Sequence, residues 1–405
     1  MKVRVAPHTF FFLLLTFSYG IPVILTLFYN INEEYTYVND NILAEYSHTA
    51  WTLLSIYAIA TVSFLLGSKL THDSIKRVRV SSISQDLISN SSSSLPLNFW
   101  QKNVIYGFIC LGLVMLFKMF RAGTFSSDYI ESFGAGFESQ NVYTMLCDVF
   151  FFFFLYLYLN YQNSYNKSKL LLLVMIFVTL LRGSRMFTIP LIFFLLYKMV
   201  YIDGLTRKKI GFILLGGTVV LLGLCLVFFL RHGASFENVD ILGMIFLLIQ
   251  YESCGVHVPL MKEIMMGWHL SFAPMFTYVT DTFLFVIPRI VFPEKNEYLF
   301  FDRVVSEYNL SPFGGINGEA SVILYFGMLF PFFFFLVGGF LSYLYNLVKK
   351  SSNTSIKVLY TFICCSLMFT FLRNGILIAT KSMIVVWIIL AFFVFVRRIS
   401  LNLKG

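Results

Sequence analysis

Charge is what this sequence has least of. Only 13% of its 405 residues are Asp, Glu, Lys or Arg, where a soluble domain carries about a quarter. Acids are the scarcer sign, 21 against 30 Lys and Arg. The surplus of +9 does not indicate nucleic-acid binding, because the cations punctuate apolar stretches and form no continuous patch. The six cysteines lack metal-ligand spacing. Cys110, Cys147, Cys225, Cys364 and Cys365 fall in apolar stretches and Cys254 in a loop, which excludes a disulfide framework. There is no Asp-x-Asp pair for a divalent metal, no internal repeat and no separate soluble domain.

What fills the chain instead is apolar. Hydrophobic residues make up 58% and Phe alone appears 48 times. Apolar stretches of about 18 residues or more recur, too long for core helices of a soluble fold. In lipid each must satisfy its own backbone as a helix. The stretches do not alternate polar with apolar residues, which excludes a β-barrel. About ten crossings follow, at residues 8–29, 49–68, 103–120, 141–160, two short arms within 170–202, then 210–230, 318–347, 356–372 and 376–396. Lys2 and Arg4 precede the first, which is too long for a signal-peptide core. Basic loops mark the cytoplasmic side, so both ends are expected there, as is the Ser-rich loop 69–102. The loop after the first crossing is acidic and faces outward. Residues 231–317 are expected to form a large outer loop with interfacial or re-entrant helices. The arms around Arg182-Gly183-Ser184-Arg185 are about 20–25 Å each, short of the ~30 Å core, so their tip sits below the outer surface. The expected class is thus an all-α polytopic membrane protein, residues 1–405 forming one integral domain.

Arg and Lys are distributed differently. Segments read as cytoplasmic hold 6 Arg and 12 Lys; the rest of the chain holds 7 Arg and 5 Lys. Arg is enriched where the positive-inside rule disfavours it, and its planar fork of donors suits phosphate. Arg185, Arg231, Arg289, Arg303 and Arg373 come from separate parts of the chain, and this topology puts them at one depth near the outer rim. Snorkelling explains any one of them; several at one rim point to a site for phosphate or pyrophosphate. In the stretch Ile287-Pro288-Arg289 to Pro293-Glu294-Lys295, two prolines bracket a short apolar piece, each with an adjacent or nearby cation. Then Gly314, Gly315 and Gly318 precede Glu319 at the start of a crossing. Glu319 reads either as a carboxylate complementing a helix N-terminus or as a general base at the mouth of a site.

Taken in order, the Gly-Ser-Arg hairpin, the Ile-Pro-Arg to Pro-x-Lys stretch and the Gly-rich Gly-Glu before a crossing resemble the O-antigen polymerases, the Wzy-type oligosaccharide repeat-unit polymerases. The motifs span about residues 180–330. Arg303 and Gly314 match an Arg-x10-Gly spacing found in some members; Arg231 to Gly243 is off by one, and Asn296 follows Lys295 where the family often has Pro. The resemblance implies a GT-C-like glycosyltransferase of the bacterial inner membrane, acting at the periplasmic face. It would transfer a glycan from undecaprenyl pyrophosphate onto a second lipid-linked repeat unit, with a polysaccharide chain-length regulator as partner. Arg185, Arg231, Arg289, Lys295, Arg303, Arg373 and Gly314 would hold the pyrophosphate or substrate. Glu319, Glu252 and His257 are the candidates for the base. No metal and no other cofactor is expected. Rival readings are an O-antigen ligase, which uses lipid A core as acceptor, and a lipid-linked sugar flippase. The flippase would need charge along a central path, and mid-span charges here are few, Asp148 and Lys381.

Overall fold

The computed structural model describes residues 5–28, 47–77, 137–160, 188–202, 257–272, 274–287, 291–310, 316–350 and 354–402, with isolated positions within 103–114 and 204–215. The described residues are helical, with no strand among them. In chain order the helices are α1 Pro7–Phe28, α2 Ala50–Arg77, α3 Phe137–Asn160, α4 Thr188–Tyr197, α5 Met275–Val286, α6 Phe300–Glu307, α7 Gly318–Phe326, α8 Phe330–Lys350, α9 Thr354–Phe362, α10 Met368–Asn374 and α11 Ile376–Asn402. Residues 257–265 are also helical.

Among the described residues, three stretches are long and apolar enough to cross a membrane: Ala50–Asp73, Gly318–Lys350 and Ser355–Asn374. Shorter apolar helices include Pro7–Ser18, Asp148–Leu159, Ile189–Ile202, Met275–Val286 and Ile376–Phe392. Their outward faces are greasy. Ile59, Val62, Leu66 and Leu70 form an exposed stripe on α2, and Phe332, Leu336, Phe340 and Tyr343 another on α8. In water such stripes would aggregate; in lipid they are the expected contact surface. This is a helical, membrane-embedded protein.

The chain forms two compact units. The first draws on Met1–Arg79, Met199–Asn346 and Met368–Lys381. In it α1 packs along α2, with Phe12 stacked on Phe64 at 3.9 Å and His8 Nε2 3.0 Å from Ser68 Oγ. α2 and α8 approach backbone to backbone: a Cβ on Gly67 would collide with the carbonyl of Phe335, and one on Gly338 with that of Phe64. Such small-residue crossings hold membrane helices together where no hydrophobic force acts between them. The expected crossing at 318–347 is a broken rod. α7 stops at Gly327, whose φ of 46° only glycine adopts freely. A 3₁₀ turn Gly327–Leu329 then leads into α8, whose second residue, Pro331, has no amide hydrogen to leave unpaired.

The second unit draws on Val80–Lys198, Leu347–Leu367 and Ser382–Gly405. α3 packs on α9, with Phe150 to Phe154 all buried. Phe194 of α4 sits edge-on to Phe154 and Tyr158. Asp148 is buried on α3, and its carboxylate accepts from Ser366 Oγ at 3.1 Å and Ser382 Oγ at 2.5 Å. Those serines lie eight residues before and eight after Asn374. Asp148 thus ties Ser366 and Ser382 to α3 within this unit. Ser366 belongs to a π-helical segment, Ile363–Leu367, an insertion of the kind that re-aims side chains within a helix.

A candidate site at the N-terminus of α7

The start of α7 is fixed from three directions within the first unit. Asn317 is its N-cap: Oδ1 accepts the Ala320 amide at 2.8 Å, and Nδ2 donates to the Tyr57 hydroxyl at 3.0 Å. The same hydroxyl lies 3.1 Å from His257 Nδ1. All three side chains are buried. One face of α2, the helix at 257–265 and the N-terminus of α7 are thereby joined through side chains far apart in sequence.

The third direction is the α10–α11 turn. A Cβ on Gly318 would stand 2.8 Å from the Phe371 carbonyl oxygen. Gly375, with φ of 86°, would place one 3.0 Å from the Ile316 carbonyl oxygen. Ser321 Oγ donates to Gly318 O at 2.8 Å and accepts the Ile376 amide at 2.9 Å. Arg373 rides on this turn, half-buried, with its guanidinium 6.0 Å from the Phe369 ring centroid.

Glu319 enters α7 in its first turn and is 2% exposed. Since Asn317 already caps the helix, the carboxyl of Glu319 is not needed as the cap. The first turn of α7, which carries Glu319, is thus joined to His257 through Asn317 and Tyr57 and to the turn that carries Arg373 through Gly318 and Ser321. Arg303 is exposed on α6. Lys295 is buried, and its ammonium donates to Ile287 O at 2.6 Å and Phe285 O at 3.2 Å, closing the C-terminal end of α5. Arg185, Arg231, Glu252, Arg289 and Gly314 lie outside the described residues. No group of three or more His, Cys, Asp and Glu side chains gathers among the described residues.

Sequence reasoning passed over several residues that organise this region. Asp281 is buried on α5 and accepts from the amides of Phe300 and Phe301 at 3.0 and 2.9 Å and from Tyr325 Oη at 2.5 Å, so it caps α6 and anchors α7. A lone acid in the run Met275–Val286 was the available signal. Glu263, on the helix that carries His257, is fully buried, and neither carboxyl oxygen has a partner among the described residues. Burial alone holds its carboxyl well above the ordinary carboxylate range.

These features define an all-helical membrane protein with a buried carboxyl at a broken helix, beside a histidine and an arginine-bearing turn. Comparison with protein-family models, with curated proteins and with solved structures finds no match.

Proposed function

We propose that this chain is a glycosyltransferase of the bacterial inner membrane that polymerises oligosaccharide repeat units carried on undecaprenyl pyrophosphate, at the periplasmic face. The observation that carries the reading is the burial of Glu319 at the start of α7, beside the His257–Tyr57–Asn317 chain and the turn bearing Arg373. Support also comes from the arginine excess on the outward segments and from the order of the three motifs in the sequence. The reading carries with it the ten-crossing, GT-C-like topology with both termini cytoplasmic.

In this reaction the acceptor hydroxyl oxygen bonds to the anomeric carbon of the donor glycan. Its proton passes to the Glu319 carboxylate, with His257 and Glu252 as the other acceptors the sequence offers. The bond from the anomeric carbon to the pyrophosphate oxygen breaks, and the electron pair leaves with undecaprenyl pyrophosphate. Negative charge grows on the leaving group, which is where Arg185, Arg231, Arg289, Arg303 and Arg373 would act. Fixed cations there supply the countercharge, so the reading invokes no metal.

The test is the purified full chain in vesicles with lipid-linked repeat units. A ladder of products several repeats long is expected. Transfer only to an added lipid A core acceptor would replace the polymerase by a ligase. Movement of lipid-linked sugar across the bilayer with no new glycosidic bond would replace it by a flippase.

A further inference from the structure

Two ammonium groups converge on one phenyl ring in the first unit. Lys381 Nζ lies 5.0 Å from the Phe285 centroid, and Lys295 Nζ lies 5.7 Å from it. Lys295 is accounted for by the carbonyls at the end of α5, where a cation complements the helix dipole. Lys381 is not. It is half-buried on α11, six residues past Gly375, and makes no hydrogen bond or ion pair among the described residues. The charge acting on it is that of Lys295, which repels it. The ring offers only a weak attraction. Two like charges held together away from bulk water are unfavourable unless an anion joins them.

Helix geometry says where such an anion would come from. Side chains on α11 lean toward its N-terminus, so Lys381 reaches back toward the α10–α11 turn and the end of α5. α5 is itself a lipid-facing helix: Phe276, Val279 and Phe283 recur along one face and are exposed. An anion arriving beside such a helix is one that lipid carries. We propose that Lys381, with Lys295 beside it, binds a phosphate group of the lipid-linked pyrophosphate at the Phe285 ring. This rests on the reading of the chain as acting on lipid pyrophosphates. It adds a cation that the arginine pattern does not contain and gives the donor's phosphate a place at the end of α5.

The experiment uses the full chain in phosphatidylcholine nanodiscs, titrated with undecaprenyl pyrophosphate, with phosphatidylglycerol and inorganic pyrophosphate as competitors. Lys381→Met should weaken binding by about 10–100-fold, the loss expected for one charged hydrogen bond. Lys381→Arg should stay close to wild type, as should Lys350→Met, an exposed cation at the end of α8. If the Met variant does not fold, by its melting midpoint, Lys381→Gln carries the same test. Unchanged affinity in the folded neutral variant overturns the proposal. Equal competition by phosphatidylglycerol overturns it in favour of a general headgroup site, and equal competition by inorganic pyrophosphate in favour of a free-phosphate site. Failure of the functional reading looks different. A wild-type protein that binds the lipid through Lys381 yet makes no polymer keeps this site and loses the polymerase; polymer formation untouched by Lys381→Met does the reverse.

Discussion

His257 Nδ1 lies 3.1 Å from the hydroxyl of Tyr57, a partner 200 positions away in the chain, and the two rings stand edge to face at 90°. That hydroxyl also receives Asn317 Nδ2. One phenol oxygen thus links the helix at 257–265 to the cap of α7. Tyr57→Phe removes it without changing ring volume and strips a buried imidazole nitrogen and a buried amide of this partner. The expected cost is about 1–3 kcal/mol in unfolding free energy, read as a lower melting midpoint of the purified protein. A midpoint equal to wild type would mean that the hydroxyl does not hold the junction.

Glycine at 318 and at 375 is required by neighbouring backbone. Gly318→Ala would push a methyl against the Phe371 carbonyl, and Gly375→Ala would add both a close contact with Ile316 O and a strained φ of 86°. Each should destabilise by about 1–3 kcal/mol. Gly20→Ala is the contrast, since no described residue lies within 4 Å of its added Cβ. Equal melting midpoints for all three variants would count against a tight α7–turn contact.

Glu263 makes a prediction about pH. Its folded-state carboxyl sits well above the ordinary value of 4.5 because burial disfavours the charged form. Above that value the unfolded chain ionises while the folded chain keeps the proton, so stability falls as pH rises through 4.5 and stops falling only past the folded value. Glu263→Gln removes this dependence. Its melting midpoint should gain on wild type as pH rises above about 5. Parallel curves for the two proteins would show that Glu263 is ionised in the folded state.

Composition made the class legible: apolar length and scarce charge leave only helices in lipid, and such helices are what the structure contains. The turn at Arg373-Asn374-Gly375 was readable too, because a glycine and two polar residues interrupt an apolar run. The break within α7–α8 was not. Gly327 stands inside a stretch apolar on both sides, and only its φ shows that the rod stops there. The junction at α7 was half legible. Glu319 stood out after a glycine cluster, whereas Tyr57 and Asn317 act through contacts across 260 positions that no local pattern encodes. Lys295 stood out as a cation near proline; that its ammonium bonds two helix-end carbonyls shows only in the structure.

Glu319 remains the sharpest test of the chemistry. Asn317 already satisfies the Ala320 amide, so the carboxyl is not the cap that its position before an apolar run suggests. What a first-turn carboxylate still contributes to the helix dipole is about 1 kcal/mol or less. Glu319→Gln keeps the shape and discards the charge, so a purely local role predicts a small loss of stability and nearly intact activity. A general base predicts something else: turnover should fall by roughly 10²–10⁴-fold while the lipid-linked donor still binds. That second outcome is expected here. Glu319→Asp should lie between, since the carboxylate survives but is withdrawn by one methylene. The deciding measurement pairs polymerisation by the purified variant with donor binding on the same preparation. Turnover near wild type with binding intact would remove Glu319 from the reaction and shift the assignment to His257 and Glu252.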